Sequence, residues 1–231
     1  MRRAAGAREY LDGSVAPVDL AATLADLDRL NAWFGGYALS LARVRRVAAT
    51  TPRTRTLQVV DIGGGDGAFA RRVARWARRA DRRVRVLVID EDAATTGLAS
   101  AACAAYPEII VVRADARALP CASTSADVVH AGLTLHHLEP DAAVPALREM
   151  RRICRGRLVV NDLARTPLAL ALVWLATRVI PMHPISRHDG PLSVRRAYAP
   201  AELGALLGAA GVTDATLTRY RSLARVVVEA A

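Results

Sequence analysis

The sequence predicts an α/β protein with a seven-stranded, mostly parallel sheet, an antiparallel C-terminal strand and helices on both faces. From residue 57 onward, short apolar runs rich in β-branched residues alternate with stretches of helical pattern, and this alternation is typical of parallel sheets. The runs lack a clean polar alternation, as expected for strands that are covered on both sides. Near the end, residues 212–230 hold two more runs around a turn at 219–222, which predicts an antiparallel pair.

The individual elements follow from these runs in chain order. Runs of Val, Ile and Leu define the first five strands, and small or charged residues at helical spacing define the helices between them. The predicted strands are LQVVDI (57–62), VRVLVID (84–90), IIVVRAD (109–115), ADVVHAG (126–132) and RLVVND (157–162), with helices at 67–79, 92–105 and 141–154.

Two segments lie outside this alternation. Residues 1–50 contain leucines at helical spacing and lead into LNAWFGGY, so we predict an N-terminal helical lid or cap. The ligand-binding domain then covers residues 51–231, with an insert at about 164–198 that joins the apolar stretch LALALVWLA to a proline-rich polar segment. An insert of this length is more often functional than decorative, and we predict a substrate lid.

Composition limits the classes of partner. The 231 residues are 52% hydrophobic, and the 32 basic residues, all Arg, give a net charge of +10. Because no dense basic run stands out and an Arg-only bias reflects genome composition, no nucleic-acid partner is expected. The longest apolar segment is shorter than the roughly 20 residues that span a bilayer, and no signal peptide is evident. We expect a cytoplasmic protein; peripheral membrane contact and oligomeric state stay open.

The stretch VVDIGGGDG lies at the end of the first strand, where open α/β sheets bind their ligands. Gly63, Gly65 and Ala68 satisfy a dinucleotide-binding pattern, but that pattern alone is weak. Asp61 would repel a pyrophosphate, whereas it would attract the sulfonium and ammonium groups of S-adenosylmethionine. Charge therefore favours S-adenosylmethionine over a nicotinamide cofactor. Asp66 begins the following helix, where an acid is favourable for any ligand.

Three later strand ends carry matching residues. Asp90 is placed to accept hydrogen bonds from ribose hydroxyls, Asp115 and Ala116 to contact adenine, and Gly132 with Leu133 to lie beside the reactive methyl group. A lone aspartate at a strand end is more often a cap or turn residue. Three of them at successive strand ends, beside a glycine turn, favour an adenosyl ligand.

These motifs together resemble a known superfamily. VVDIGGGDG, VLVIDED, VVRADARALP, ADVVHAGLTLHHLEP and RLVVNDL are similar to the successive motifs of class I S-adenosylmethionine-dependent methyltransferases, over residues 57–163. The resemblance implies a Rossmann-like fold, methyl transfer from S-adenosylmethionine, S-adenosylhomocysteine as the product, and cofactor contacts from Asp61, Gly63, Gly64, Gly65, Asp90, Glu91, Asp115, Ala116, Gly132 and Leu133.

The finer resemblance concerns the acceptor. LHHLEP resembles small-molecule methyltransferases such as those of quinone biosynthesis. The flanking segments LNAWFGGY and SRHDGPLSVRRAY resemble methyltransferases associated with type III polyketide synthases. The resemblance implies a small, apolar, phenolic or quinonoid acceptor, aromatic or lipid-like, in secondary metabolism, with transfer to oxygen favoured over carbon.

Two histidines are the candidate catalytic residues. His136 and His137 directly follow the fourth strand, and an imidazole titrates near neutral pH, so either could take the proton of a phenol. His137 is preferred. Since adjacent side chains point in different directions, one of the two is expected to be structural. The candidate substrate contacts are Trp33, Phe34, Tyr37, Asn161, Asp162, Arg187 and His188, for each of which a purely structural role is the alternative.

Other functions remain as alternatives. These are a carbon methyltransferase of a polyketide or quinone ring, an RNA methyltransferase, a non-catalytic S-adenosylmethionine-binding protein and a nicotinamide-dependent oxidoreductase. The tetrapeptide typical of nitrogen-directed nucleic-acid enzymes is replaced here by GLTLHHL. No metal site is predicted, because the three cysteines are widely spaced and Asp162 alone is insufficient.

Overall fold

A computed structural model describes all residues, 1–231. Seven strands form one sheet in the order β3-β2-β1-β4-β5-β7-β6. The first five strands are parallel neighbours, and β7 runs antiparallel to both β5 and β6. The predicted fold class is confirmed. The strands are β1 (Leu57–Ile62), β2 (Val84–Asp90), β3 (Ile109–Arg113), β4 (Ala126–Gly132), β5 (Cys154–Leu163), β6 (Thr216–Tyr220) and β7 (Arg225–Ala230).

Eight α-helices surround this sheet. They are α1 (Pro17–Trp33), α2 (Gly36–Thr50), α3 (Ala68–Arg79), α4 (Ala93–Cys103), α5 (Pro140–Ile153), α6 (Pro167–Val179), α7 (Pro184–Arg196) and α8 (Pro200–Ala209). None of them is both long and apolar enough to cross a bilayer.

Helix α7 lies in the segment that the sequence indicates only as a proline-rich insert. Its first residue is Pro184, whose fixed φ suits the first turn of a helix. The ring of His183 accepts a hydrogen bond from the Ile185 N–H and caps that turn. Pro191 lies within α7 and lowers its intrinsic helix propensity, so the stability of α7 comes from packing on α6 and α1.

The core lies on the two faces of the sheet. On one face, Leu147 of α5 and Leu203 of α8 pack on the strands and are at most 1% exposed. On the other face, Val44 of α2 and Val73 of α3 pack on β1 and β2. Helix α2 therefore covers the sheet itself, whereas α1, α6 and α7 form a separate layer with the 3-10 turn at Tyr10–Asp12.

Candidate functional site

The glycine turn between β1 and α3 presents bare backbone at the carboxyl end of the sheet. Gly63 and Gly65 have φ values of +61° and +56°, a region that only glycine adopts without strain. A Cβ atom at Gly63 would lie 2.4 Å from Oγ1 of Thr134. The Gly65 N–H donates to Oδ2 of Asp90 at 3.1 Å, so the end of β2 holds the turn in place.

Asp61 carries a buried carboxylate with one oxygen unpaired. The residue is 2% exposed, and its Oδ1 lies 2.7 Å from Nδ1 of His130. Its Oδ2 has no hydrogen-bond partner in the protein. Because a buried carboxylate oxygen without a donor is unfavourable, the position fits a ligand that brings an ammonium group. These features fit S-adenosylmethionine and do not fit a pyrophosphate.

A chain of hydrogen bonds positions this carboxylate from below. Nε2 of His130 lies 2.8 Å from Oγ of Ser40, and Nδ2 of Asn161 donates to the same Oγ at 2.9 Å. Since Ser40 accepts from Asn161, its own hydroxyl donates to His130, whose ring proton is then on Nδ1 and points to Asp61. We call Asp61, His130, Ser40 and Asn161 the Asp61 network. It is satisfied by a neutral imidazole and leaves the charge of Asp61 uncompensated.

The turn and the strand ends line a large cleft, which we call the outer cleft. Its volume is about 720 Å³, within the range of small-molecule sites. The parallel sheet brings the carboxyl ends of β1, β2 and β4 to one edge, so residues far apart in sequence share this cleft. All ten predicted cofactor contacts line it: Asp61, Gly63, Gly64, Gly65, Asp90, Glu91, Asp115, Ala116, Gly132 and Leu133.

The two later aspartates of the outer cleft differ in environment. Burial raises the pKa of Asp90, although the N–H groups of Asp92 and Gly65 bind its carboxylate. Asp115 lies nearer to solvent, where a hydrogen-bonded ion pair with Arg117 lowers its pKa. Asp90 is thus held inside the cleft, and Asp115 is at its rim.

A second, smaller cavity adjoins the outer cleft; we call it the inner cavity. Its volume is about 80 Å³. Leu11, Leu27, Leu133 and His137 line both spaces, so these side chains form a shared wall between them. Leu133 has a φ of +56°, and its N–H donates to the Asn161 carbonyl at 3.0 Å. The strained backbone at the end of β4 places this side chain in the wall.

Most of the inner cavity is apolar. Helix α1, the end of β5 and helix α6 supply aliphatic or aromatic side chains, and the opposite side of α6 is exposed to solvent. The apolar residues that line the cavity besides the shared ones are Leu30, Phe34, Leu163, Val173, Ala176, Leu223 and Ala224.

One end of the inner cavity is polar. Nδ1 of His136 lies 2.6 Å from Oδ1 of Asp162, and Nδ1 of His137 lies 2.8 Å from Oδ1 of Asp12. The Nε2 atoms of both rings lie 3.9 Å from the two carboxylate oxygens of Glu9. Both histidines line the cavity, in contrast to the expectation that one of them would be purely structural. The tight turn after β4 tilts their rings by 35° at a centroid distance of 4.3 Å.

The three aromatic residues predicted to contact substrate lie in different places. Phe34 lines the inner cavity, and Tyr37 lines the outer cleft beneath the guanidinium of Arg72, 4.0 Å from its ring centre. Trp33 lines neither space: α1 ends at this residue, and 63% of it is exposed.

The four polar residues predicted to contact substrate line neither space. Asn161 and Asp162 are buried, and their side chains are bound to Ser40 and to His136. Arg187 and His188 lie on the exposed side of α7. Nδ1 of His188 does contact Asp189, at 2.8 Å, but of this pair only Asp189 lines the inner cavity.

Sequence reasoning missed several residues of the inner cavity and the Asp61 network. Glu9, Leu11 and Asp189 line the inner cavity, Asp12 and Arg196 contact His137, and His130 and Ser40 belong to the Asp61 network. Asp189 accepts hydrogen bonds from the N–H groups of Tyr10 and Leu11, and this holds the N-terminal segment against α7. No local pattern marks these residues, because tertiary contacts alone bring them to the cavity.

Comparison with known proteins agrees with this geometry. Residues 59–157 match the family model described as a methyltransferase domain. No curated protein matches significantly.

Many solved structures share the fold. A protein from Methanococcus maripaludis, described as an S-adenosyl-L-methionine-dependent methyltransferase, superposes with a TM-score of 0.64 at 15% identity, covering 98% of this chain and 97% of that one. Magnesium protoporphyrin IX methyltransferase from Synechocystis, with bound S-adenosylhomocysteine, gives 0.56 at 20% identity over 95% and 89%. The citrinin polyketide synthase CMeT domain gives 0.61 at 15% identity over 81% of this chain and 49% of that one.

This chain therefore spans about half the length of the polyketide synthase chain it matches. The matched motifs, the sheet order and the fit of the outer cleft agree. Together they show an S-adenosylmethionine-dependent methyltransferase domain at residues 59–157, within a fold that these solved structures share.

Proposed function

We propose that this enzyme methylates a hydroxyl oxygen of a small, apolar, phenolic or quinonoid acceptor that binds in the inner cavity. The observation that carries the proposal is the shared wall between the two spaces, formed at its centre by Leu133 and His137. Methyl transfer needs the reacting atoms about 3–3.5 Å apart and in line. An acceptor whose hydroxyl reaches between these two side chains would meet the methyl group of a donor in the outer cleft.

The outer cleft supports the cofactor end of this proposal. S-adenosylmethionine supplies an electrophilic methyl group on a sulfonium, and its sulfur is already a good leaving group. The unpaired Oδ2 of Asp61 would bind the ammonium group, and the buried carboxylate of Asp90 would bind the ribose hydroxyls. The chain would thus orient the donor, and it does not need to activate the leaving group.

The lining of the inner cavity supports the acceptor class. Aliphatic and aromatic side chains such as Leu30, Phe34 and Val173 form most of its wall, and Glu9, His136 and His137 form one polar cluster in it. A flat ring with a hydroxyl at one edge matches this distribution, because the ring would bury apolar surface while the hydroxyl meets His136 and His137.

The acceptor hydroxyl must lose its proton, and His137 is the residue that we propose takes it. Its Nδ1 is bound to Asp12, so a neutral ring offers the lone pair of Nε2 to the cavity. His137 also lines the outer cleft, which places it nearer to the donor than the fully buried His136. Asp12 would hold the ring and stabilise the imidazolium that forms.

The N-terminal helix and the insert would act as the lid. Residues 1–33 and 164–198 supply Glu9, Leu27 and Val173 to the inner cavity, and they lie outside the sheet and its covering helices. The outer face of α6 leaves Trp174 and Val179 at least half exposed. This apolar face would suit an acceptor that arrives from a lipid or a membrane surface.

Transfer to a ring carbon is the second candidate. The likeness to the citrinin polyketide synthase CMeT domain favours it, and an activated ring carbon also needs a base. The position of His137 beside the shared wall serves both reactions. Oxygen is favoured because Glu9, His136 and His137 form one polar cluster in a largely apolar cavity.

The test is product analysis by mass spectrometry with S-adenosylmethionine and a panel of alkylresorcinols, alkylpyrones and hydroxyquinones, with RNA as a separate arm. We expect a gain of one methyl group and the loss of one exchangeable hydroxyl proton. Retention of all hydroxyl protons would instead indicate carbon methylation. Methylation of RNA but of none of the phenols would refute the proposal.

His137→Gln is the matched variant for the proposed base. It should lower kcat strongly while affinity for S-adenosylhomocysteine changes little, because none of the ten predicted cofactor contacts is altered. An unchanged kcat in this variant would show that His137 is not the base.

A further inference from the structure

Three metal-ligating side chains converge at the polar end of the inner cavity. The carboxylate of Glu9 and the Nε2 atoms of His136 and His137 all lie within 4.8 Å of one another. Each Nε2 is 3.9 Å from a different oxygen of Glu9. No protein hydrogen bond joins any of these three groups to another, so each still offers its ligand atom to the space between them.

Both histidines are oriented as metal ligands usually are. In metal sites, the nitrogen that does not bind the ion donates to a carboxylate or carbonyl, which fixes the tautomer. Here Nδ1 of His136 is bound to Asp162 and Nδ1 of His137 to Asp12, at 2.6 and 2.8 Å. Asp162 is further fixed because its Oδ2 accepts the His136 N–H at 3.0 Å. Nε2 is therefore the free nitrogen of each ring, and both Nε2 atoms lie 3.9 Å from the Glu9 carboxylate.

Glu9 supplies the independent observation. It is 4% exposed, and its Oε1 has no hydrogen-bond partner although it is buried. The nearest cation, Nη1 of Arg196, lies 3.3 Å away, but this guanidinium is hydrogen-bonded to Asp12 and to the His137 carbonyl. A buried carboxylate oxygen in this state is unfavourable, and a bound cation would remove the penalty.

The charges around the cluster agree with a divalent ion. The carboxylates that line the inner cavity or hold its histidines are Glu9, Asp12, Asp162 and Asp189, whereas the guanidiniums are Arg196 and Arg225. With neutral imidazoles, two negative charges are left over. A doubly charged cation would balance them.

We propose that Glu9, His136 and His137 bind one divalent transition-metal ion of the zinc class, with an open position toward the inner cavity. Two imidazoles and one carboxylate suit zinc, cobalt or iron rather than magnesium or calcium. Three protein ligands with an open fourth position are typical of catalytic zinc sites. In a tetrahedral site with bonds of about 2.1 Å, ligand atoms lie roughly 3.4 Å apart. The three ligand atoms, now within 4.8 Å of one another, would therefore have to draw together when the ion binds.

This site rests on the proposed function for the hydroxyl of the acceptor, and it replaces one part of that function, the proton transfer to His137. An ion at this point would hold the hydroxyl oxygen and lower its pKa. The O–H bond then breaks with loss of the proton to water, and the oxygen forms its bond to the methyl carbon as the carbon–sulfur bond breaks. The products are the methyl ether and S-adenosylhomocysteine. The ion and a proton compete for Nε2 of His137, so this route replaces direct proton transfer to His137.

The test is metal binding by the untagged, full-length protein after removal of metals with a chelator. Calorimetric titration with Zn²⁺ should show one saturable site, and Co²⁺ should produce the intense visible absorption of a four-coordinate ion. Glu9→Gln keeps the shape of the side chain but lacks the charge, and we expect at least a hundredfold weaker binding. His183→Gln, which removes a histidine outside the cluster, should bind as the wild type does.

Affinity for S-adenosylhomocysteine reports the fold of Glu9→Gln, because Glu9 does not line the outer cleft. If the wild type shows no saturable site, or Glu9→Gln binds Zn²⁺ as tightly as the wild type, the proposal is wrong. The acceptor panel is independent of this result: metal binding without methylation of any phenol would count against the acceptor and not against the ion.

Discussion

Replacing Asp61 by Asn tests the charge argument for the cofactor. The substitution keeps the size of the side chain, and the asparagine Oδ1 can still accept from Nδ1 of His130. It removes a negative charge that is 2% exposed and that the Asp61 network leaves uncompensated. We therefore expect a loss of cofactor affinity without a loss of folding.

The expected loss of binding free energy follows from the burial of the charge pair between Asp61 and the ammonium group of the cofactor. Truncating one partner of a buried, hydrogen-bonded charge pair costs about 2–5 kcal/mol. The outer cleft is open to solvent on one side, so the lower part of that range applies. A loss of about 2.8 kcal/mol corresponds to about a hundredfold rise in Kd. The stability of the cofactor-free protein should not fall, because the substitution removes a buried carboxylate with one unpaired oxygen. Its Tm should therefore stay equal or rise.

The assay is isothermal calorimetry with S-adenosylhomocysteine and with 5′-methylthioadenosine, which lacks the amino-acid portion. The Asp61→Asn variant should bind S-adenosylhomocysteine about a hundredfold more weakly and methylthioadenosine as the wild type does. Equal affinity of both proteins for S-adenosylhomocysteine would refute the reasoning. An equal loss for both ligands would show that the substitution disturbs the cleft rather than removing a charge contact.

Three further predictions follow from the same structure. Gly132→Ala should weaken binding of S-adenosylhomocysteine about tenfold in calorimetry, which corresponds to about 1.4 kcal/mol. A Cβ atom there would lie 2.8 Å from Cε1 of His130 and would displace the ring that holds Asp61. Unchanged affinity would contradict this prediction. Phe34→Ala should raise KM for the acceptor with cofactor affinity unchanged, whereas the exposed neighbour Trp33→Ala should do neither; steady-state kinetics of both variants decide. Burial alone would raise the pKa of Asp127, but hydrogen bonds from Arg155, the Gln58 N–H and Arg55 outweigh it and lower that pKa below 3.8. The stability that this carboxylate contributes is thus present at neutral pH and lost as pH falls through the lowered pKa. In thermal unfolding, Asp127→Asn should be about 2 kcal/mol less stable than the wild type at pH 7, and the two proteins should differ less near pH 3. A difference that does not depend on pH would contradict the assignment.

The sheet and the outer cleft could be predicted because their signals are local. Each strand is a continuous apolar run in the sequence, so the end of the run marks the residue at which the strand ends. Because parallel strands have their carboxyl ends at the same edge of the sheet, Asp61, Asp90 and Gly132 could be placed together there, where they line the outer cleft. The predicted bounds of β1, β2 and β4 are those of the structure.

The inner cavity could not be predicted in the same way. Its polar end needs Glu9 from the N-terminal segment, His136 and His137 from the turn after β4, and Asp162 from β5. Helix α7, which anchors the N-terminal segment through Asp189, has Pro191 and Gly190 in its interior, so its sequence favours a loop. These parts are positioned by contacts between elements, and such contacts leave no periodic pattern.

The attachment of the N-terminal segment has a consequence for turnover. Among residues 1–16 only Glu9 is buried, and no apolar side chain of this segment enters the core. The segment is held by polar contacts, such as Arg3 with Glu139 and the Tyr10 and Leu11 amides with Asp189. Segments held in this way open at a small fraction of the global unfolding free energy. Each opening would remove one wall of the inner cavity. If the acceptor binds there as proposed, exit of the product would be a gated step whose rate increases with ionic strength.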